Sequence, residues 1–185
     1  MGEVVKFNIM SGYDSLTGIE KDIDKLLARD EKMMNQYLLS SLTFKKPFIE
    51  EDEFDKGVRI HLNFAHTFGH ALETVTNYGI PHGTAVAMGM IIANRISLQR
   101  GYLEKILVLR SEQVLKQIIH VDFNRYSMEI DKIIDAIKKD KKQTSTSMTA
   151  VLLYDDMKIG IFKDLNVEET ETAIKYLYDF CEGTC

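Results

Sequence analysis

Apolar residues at Ile19, Ile23, Leu26 and Leu27 recur every three or four positions, which predicts a helix over residues 15–28 with one buried face. A shorter helical stretch precedes it at 3–10 and begins with no capping sequence ahead of it, so a segment upstream is expected. Asp30 is placed to cap a third helix running through Met33, Met34, Tyr37 and Leu38. The next stretch, 45–56, is dense in charge, is interrupted by Pro47 and reads as a solvated helix face. Residues 59–75 predict one strongly apolar helix carrying His61, His66 and His70. Asn77, Gly79 and Pro81 then turn the chain. Small and apolar residues run almost without a break over 82–99, as in a helix buried on most sides, with Gly101 at its C-terminal cap. Helices are expected at 103–119 and 127–139, and two β-prone runs at 148–154 and 157–162 flank Asp155 and Asp156 as a hairpin. Asn166 followed by Glu169 marks the start of a last helix to about Cys181. The pattern predicts a mainly α fold, one helical domain over 1–185 with a small β-hairpin near its C-terminal end.

Composition narrows the class. The chain has 23 Lys+Arg against 28 Asp+Glu, a net charge of −5, and 45% hydrophobic residues. That balance fits a packed globular domain and excludes disorder. Scattered charge of acidic sign argues against nucleic acid as a partner. No apolar run reaches the roughly 20 residues of a membrane span, and Glu3, Lys6 and Asp14 break the apolar centre a signal peptide needs. The two cysteines, Cys181 and Cys185, lie in the last five residues, so a disulfide scaffold is excluded and a cytoplasmic location is expected. Apolar surface on the helix from His82 and on the last helix allows a homodimer, although burial within the domain accounts for the same residues.

His66 and His70 stand four residues apart and share one helix face; His82 follows 16 residues after His66, just beyond the turn. Imidazoles converging there with one carboxylate would make a three-ligand site with an open position, the arrangement of catalytic zinc. The bland alternative is a pair of satisfied core histidines. Lys45, Arg59, Asn63 and the acidic segment weigh against it, since metal, cations and an amide suit a polyoxygenated anion. His61 points elsewhere and reads as structural.

Arg59-Ile-His-Leu-Asn-Phe-Ala-His-Thr-Phe-Gly-His-Ala-Leu-Glu73 closely resembles the central motif of 3-dehydroquinate synthases, as does Pro81-His-Gly-Thr-Ala-Val-Ala-Met-Gly-Met90. Glu3-Val-Val-Lys6, Lys45 with Asp52-Glu53, Gly57-Val-Arg59 and Asp140-Lys-Lys142 continue the resemblance in order. It implies the carboxy-terminal helical domain of a two-domain enzyme whose amino-terminal NAD-binding domain is absent from this chain, so no cofactor-binding residue for NAD is assigned here. The implied reaction converts 3-deoxy-D-arabino-heptulosonate 7-phosphate, a phosphorylated keto-acid, to 3-dehydroquinate with loss of phosphate. It belongs to the shikimate pathway of aromatic amino-acid biosynthesis and needs NAD with Zn²⁺ or Co²⁺. Position by position, Glu3, His66 and His82 resemble the metal ligands. His70 resembles the histidine beside the reacting phosphate, and Lys6 a hydroxyl-binding catalytic group. Lys45 and Arg59 resemble the cations on the substrate carboxylate, Asp55 and Asn63 further substrate contacts, and Lys141 a late phosphate-binding lysine with Lys142 as its neighbour. A fragment of this kind is expected to fold without catalysing.

Three positions depart from the family pattern. Ala65 stands where a glycine usually precedes the first histidine, a change expected to take up only some space. Asp55 replaces a glutamate, and Thr84 replaces the glutamate of the family's His-Gly-Glu motif, removing a charge close to His82. The nearest rival is a related sugar-phosphate cyclase of the 2-deoxy-scyllo-inosose or 2-epi-5-epi-valiolone synthase type, whose substrates lack a carboxylate. A metal-dependent polyol dehydrogenase and a non-catalytic metal-binding module are more distant.

Overall fold

The computed structural model describes residues 1–54, 57–122, 125–126, 128–139 and 147–183. Helices α1 (Gly2–Met10), α2 (Tyr13–Leu27), α3 (Glu31–Glu51), α4 (His66–Val75), α5 (His82–Gln99), α6 (Lys105–Lys116), α7 (Ile130–Lys139) and α8 (Val167–Glu182) surround a hairpin of β1 (Met148–Tyr154) and β2 (Lys158–Leu165). The strands are antiparallel and pair Ala150 with Phe162 and Tyr154 with Lys158. The fold is mainly α with one small hairpin, as the pattern predicts.

Helix α5 is the axis. Every residue from Ala85 to Asn94 is buried, and α1, α4, α6, α8 and β1 all pack on it. Only an all-round apolar sequence tolerates such a position. Its apolar residues, and those of α8 (Ala173, Ile174, Leu177), are therefore accounted for within the domain. Small residues set the α4–α5 spacing: a Cβ on Gly89 would lie 2.3 Å from the Ala65 carbonyl oxygen and 2.9 Å from the Gly69 nitrogen. At the far end of α5, Gly101 takes φ +68° after the C-cap Arg100, and Arg100 pairs with Asp164 and Glu169 to tie the helix to the hairpin and α8. Asn166 and Glu169 form the predicted capping box. Among the described residues no helix is long and apolar enough to cross a membrane.

Some elements differ from the reading of the sequence. Helix α3 runs through Pro47 to Glu51, joining the third helix and the charged helix face that the sequence reads separately. Pro47 is exposed, so the carbonyl that loses its hydrogen bond is left to water, and Phe44 and Phe48, with ring centres 5.3 Å apart, bracket the proline. The single helix predicted over 59–75 is two pieces, a 3₁₀ turn Val58–Asn63 and then α4. Ala65 separates them in the left-handed region at φ +68°, so its departure from glycine is conformational more than steric. Strand β2 extends to Leu165 through an irregular pairing near Met148, while α6 and α7 are shorter than predicted.

Candidate metal and substrate site

Three elements deliver the candidate ligands, and two glycines bring the most distant of them into place. A Cβ on Gly2 would lie 1.9 Å from the Gly83 carbonyl oxygen, so the starts of α1 and α5 touch backbone to backbone. The contact sets Glu3 against His82, while the α4–α5 packing sets His66 beside both. Glu3 Oε1 lies 3.4 Å from His66 Nε2 and 3.7 Å from His82 Nε2. One ligand atom from each residue falls within 4.8 Å of the others.

The imidazoles are oriented for ligation. His66 Nδ1 lies 3.1 Å from the Phe64 carbonyl oxygen, and a proton carried there leaves the Nε2 lone pair on the side of Glu3. Burial, with Lys6 adding to it, pushes the His66 pKa down to about 4, so the ring is neutral near pH 7. Glu3 Oε1 is buried and has no hydrogen-bond partner among the described residues. A buried, orphaned carboxylate oxygen between two imidazole nitrogens is a donor set that a cation would satisfy. The set fits a divalent metal of the zinc or cobalt type.

Lys6 lies on the inner side of this group and is 1% exposed. Its Nζ donates to the Leu62 carbonyl at 3.0 Å, lies 3.1 Å from Glu3 Oε2 and 3.3 Å from His66 Nδ1. Burial pushes its pKa down to about 8, against the pull of Glu3. A cavity of about 220 Å³ opens beside it, lined by Glu3, Lys6, Lys45, Arg59, Asn63 and His66 among others. Arg59 is fixed through its surroundings: its backbone nitrogen and that of Gly57 both donate to Asp52 Oδ2, and its Nη1 donates to the Glu53 carbonyl at 3.0 Å. A second cavity of about 210 Å³ shares Asn63 and His66 and adds Thr67, His70 and the β1 residues Thr149 to Val151. The Asn63 amide nitrogen is buried without a hydrogen-bond partner among the described residues. His70 stands with its ring 5.2 Å from His66 and 6.0 Å from His82.

The structure thus gathers Glu3, Lys6, Lys45, Arg59, Asn63, His66 and His70 around two adjoining cavities, with His82 beside Glu3 and His66. Asp55, Lys141 and Lys142 lie outside the described residues. His61 bonds the Val58 carbonyl at 2.7 Å, a local contact. One neighbour was not singled out from the sequence: Glu73, whose Oε1 lies 3.1 Å from His82 Nδ1. Its spacing of three from His70 and seven from His66, which keeps all three on one helix face, is the signal that points to it.

A family model described as 3-dehydroquinate synthase C-terminal matches residues 1–143. The 3-dehydroquinate synthase of Alkaliphilus oremlandii is 32% identical over 178 residues, covering 94% of this chain and 48% of that protein. The Acinetobacter baumannii (strain AYE) enzyme of the same name is 31% identical over 175 residues, with the same coverage. The chain spans about half the length of these relatives. Among solved structures, a 2-epi-5-epi-valiolone synthase from Streptomyces hygroscopicus with NAD⁺ and Zn²⁺ bound superposes with a TM-score of 0.77 at 16% identity, covering 96% of this chain and 50% of that one. A 2-deoxy-scyllo-inosose synthase complexed with carbaglucose-6-phosphate, NAD⁺ and Co²⁺ gives 0.69 at 21%, covering 78% and 42%. At those identities the likeness concerns the fold.

Proposed function

The chain belongs to the 3-dehydroquinate synthase family, and from that premise we propose that it forms the metal- and substrate-binding part of an enzyme that converts 3-deoxy-D-arabino-heptulosonate 7-phosphate to 3-dehydroquinate with loss of phosphate. The observation that carries this reading is the orphaned Glu3 oxygen facing His66 and His82 at the wall of the cavity that Lys45 and Arg59 also line. A divalent ion held by Glu3, His66 and His82 supplies Lewis acidity toward substrate hydroxyls. NAD supplies the redox chemistry, bound by a nucleotide-binding unit outside these 185 residues; the one sheet among the described residues is a two-stranded antiparallel hairpin, unlike the parallel sheet such a unit is built on.

The chain's own residues bind and polarise. Arg59, held by the Asp52–Glu53 turn, and Lys45 offer paired cations for the substrate carboxylate. The unpartnered Asn63 amide has donors to give to phosphate or hydroxyl oxygens, with Lys141 and Asp55 as further contacts. His70 is placed to move a proton at a phosphate oxygen, and Lys6, its ammonium weakened by burial, to hold a hydroxyl. Two cations on one cavity favour a keto-acid over the carboxylate-free substrates of related cyclases.

Calorimetric titration of the zinc-loaded chain tests the assignment. Arg59→Ala should weaken the keto-acid phosphate by roughly 10- to 150-fold, the equivalent of a lost charge-assisted hydrogen bond, and leave a carboxylate-free analogue almost unaffected. Equal weakening of both would remove Arg59 from the carboxylate. Incubated alone with NAD, zinc and substrate, the chain should release no phosphate, and steady release above a metal-free control would overturn the two-unit reading.

A further inference from the structure

We infer that Glu73 is a positioning residue for the metal site: it fixes the tautomer and ring angle of His82 and thereby sets how tightly Glu3, His66 and His82 hold a divalent ion. The inference rests on the metal-site reading above and extends it to a residue that the sequence did not assign. Of the two histidine ligands, His66 is enclosed, with its side chain 16% exposed, and has its own anchor in the Phe64 carbonyl. His82 has neither advantage. Its side chain is 47% exposed and it is the first residue of α5, directly after Pro81. An exposed ring at a helix start is free to turn about its side-chain bonds, and ordering it opposes ligation.

Glu73 removes that freedom. Its carboxylate is 10% exposed, on the α4 face that meets α5, and its Oε1 lies 3.1 Å from His82 Nδ1. An ionised carboxylate only accepts, so the imidazole proton sits on Nδ1 and the Nε2 lone pair is left toward Glu3. This is the carboxylate–histidine–metal relay, in which the outer carboxylate orients the ring and raises its basicity. Among the described residues the carboxylates set against His82 are Glu3, itself a ligand, and Glu73. Thr84, where the family motif has glutamate, provides no carboxylate, so this one comes from α4. His70, Glu73 and His82 also lie close enough to hold an ion of their own. That arrangement would engage His82 through Nδ1 and, with the first site filled, would require a doubly deprotonated bridging ring, which neutral pH opposes.

The test measures zinc affinity of the 185-residue chain by competition with a chromophoric chelator, for the wild type, Glu73→Gln, Glu73→Leu and His82→Ala. Long-range ¹H–¹⁵N spectra of the metal-free proteins at pH 8 read the His82 tautomer. One zinc per wild-type chain is expected, with none bound stoichiometrically by His82→Ala. Glu73→Leu should bind about 10- to 100-fold more weakly and move the His82 proton to Nε2. Glu73→Gln, whose amide oxygen accepts the same N–H, should stay within a few-fold of wild type and keep the proton on Nδ1. Undiminished affinity in Glu73→Leu, an unchanged tautomer there, equal losses in both Glu73 variants, or a second Glu73-dependent zinc would each overturn the inference. A wild-type chain that binds no zinc would instead remove the metal-site reading, and the tautomer spectra would still decide whether Glu73 orients His82.

Discussion

Ala65 holds a left-handed backbone conformation immediately before the metal-ligand candidate His66. A side chain with a Cβ pays about 1–2 kcal/mol there, and glycine avoids it at an unfolded-state entropy cost of about 0.5–1 kcal/mol. Ala65→Gly should therefore stabilise the chain by roughly 0.5–1 kcal/mol, a rise in Tm of about 1–4 °C for a domain of this size. Calorimetry would check it, and zinc affinity should not change. The strain was invisible in the sequence because alanine is an ordinary helix residue, and only the break between the 3₁₀ turn and α4 makes it unusual. The histidines were legible, since an i,i+4 pair followed by a third across a short turn is a local pattern. Glu3 was not: it lies over 60 positions from His66, and only the resemblance to known sequences connected the two. Glu73 sat in plain view within the quoted motif, but its partner His82 belongs to another helix.

Helices α1 and α5 meet through an asymmetric contact. A methyl group on Gly2 would strike a backbone carbonyl at 1.9 Å, whereas one on Gly83 would meet the Gly2 nitrogen at 3.4 Å, an ordinary separation. Gly2→Ala should displace α1 and its candidate ligand Glu3 and weaken zinc binding at least tenfold, while Gly83→Ala should stay within a few-fold; the same chelator competition reads both. Gly89→Ala belongs with the first kind, because its methyl would meet the Ala65 and Gly69 backbone; overpacking of this sort costs about 1–3 kcal/mol, seen as a fall in the thermal midpoint. Helices α2, α5 and α8 were readable from periodicity, continuous apolar sequence and capping. The extension of α3 was not, because its proline is tolerated by an exposed carbonyl and two bracketing phenylalanines, neither of which periodicity reports. Nor was the split of 59–75, which follows the Asp52 clamp on the backbone of Gly57 and Arg59.

Two phenols join distant parts of the molecule and give it an alkaline limit. Tyr37 on α3 donates to Asp22 Oδ2 of α2 at 3.2 Å, and Tyr178 on α8 donates to the Met128 carbonyl ahead of α7. Burial pushes both pKa values up to about 12, with Asp22 contributing at Tyr37. Unfolded, each ionises near 10. The unfolded chain therefore releases these protons first, so their contribution to stability is intact below pH 10 and is lost progressively between about 10 and 12. Urea midpoints at pH 9, 10 and 11 should fall over the last interval, and Tyr178→Phe, which cannot ionise, should flatten the fall. That α5 would be central was legible from its unbroken apolar run, since no other segment could be surrounded on all sides. How the outer helices are arranged around it was not, because amphipathic stripes specify a buried face without naming the neighbour that covers it.

The touching glycines at the head of α1 and α5 also constrain inheritance. The obstacle to a larger residue at position 2 is a main-chain oxygen, which every amino acid carries, so no substitution at position 83 can make room. A lineage that drifts away from glycine at position 2 has no compensating change open to it at the point of contact and loses the placement of Glu3 along with it. Reversion is its shortest way back. Position 83, where an added methyl makes only ordinary contact, should tolerate small residues in a saturation library selected for zinc retention, while position 2 should return glycine alone.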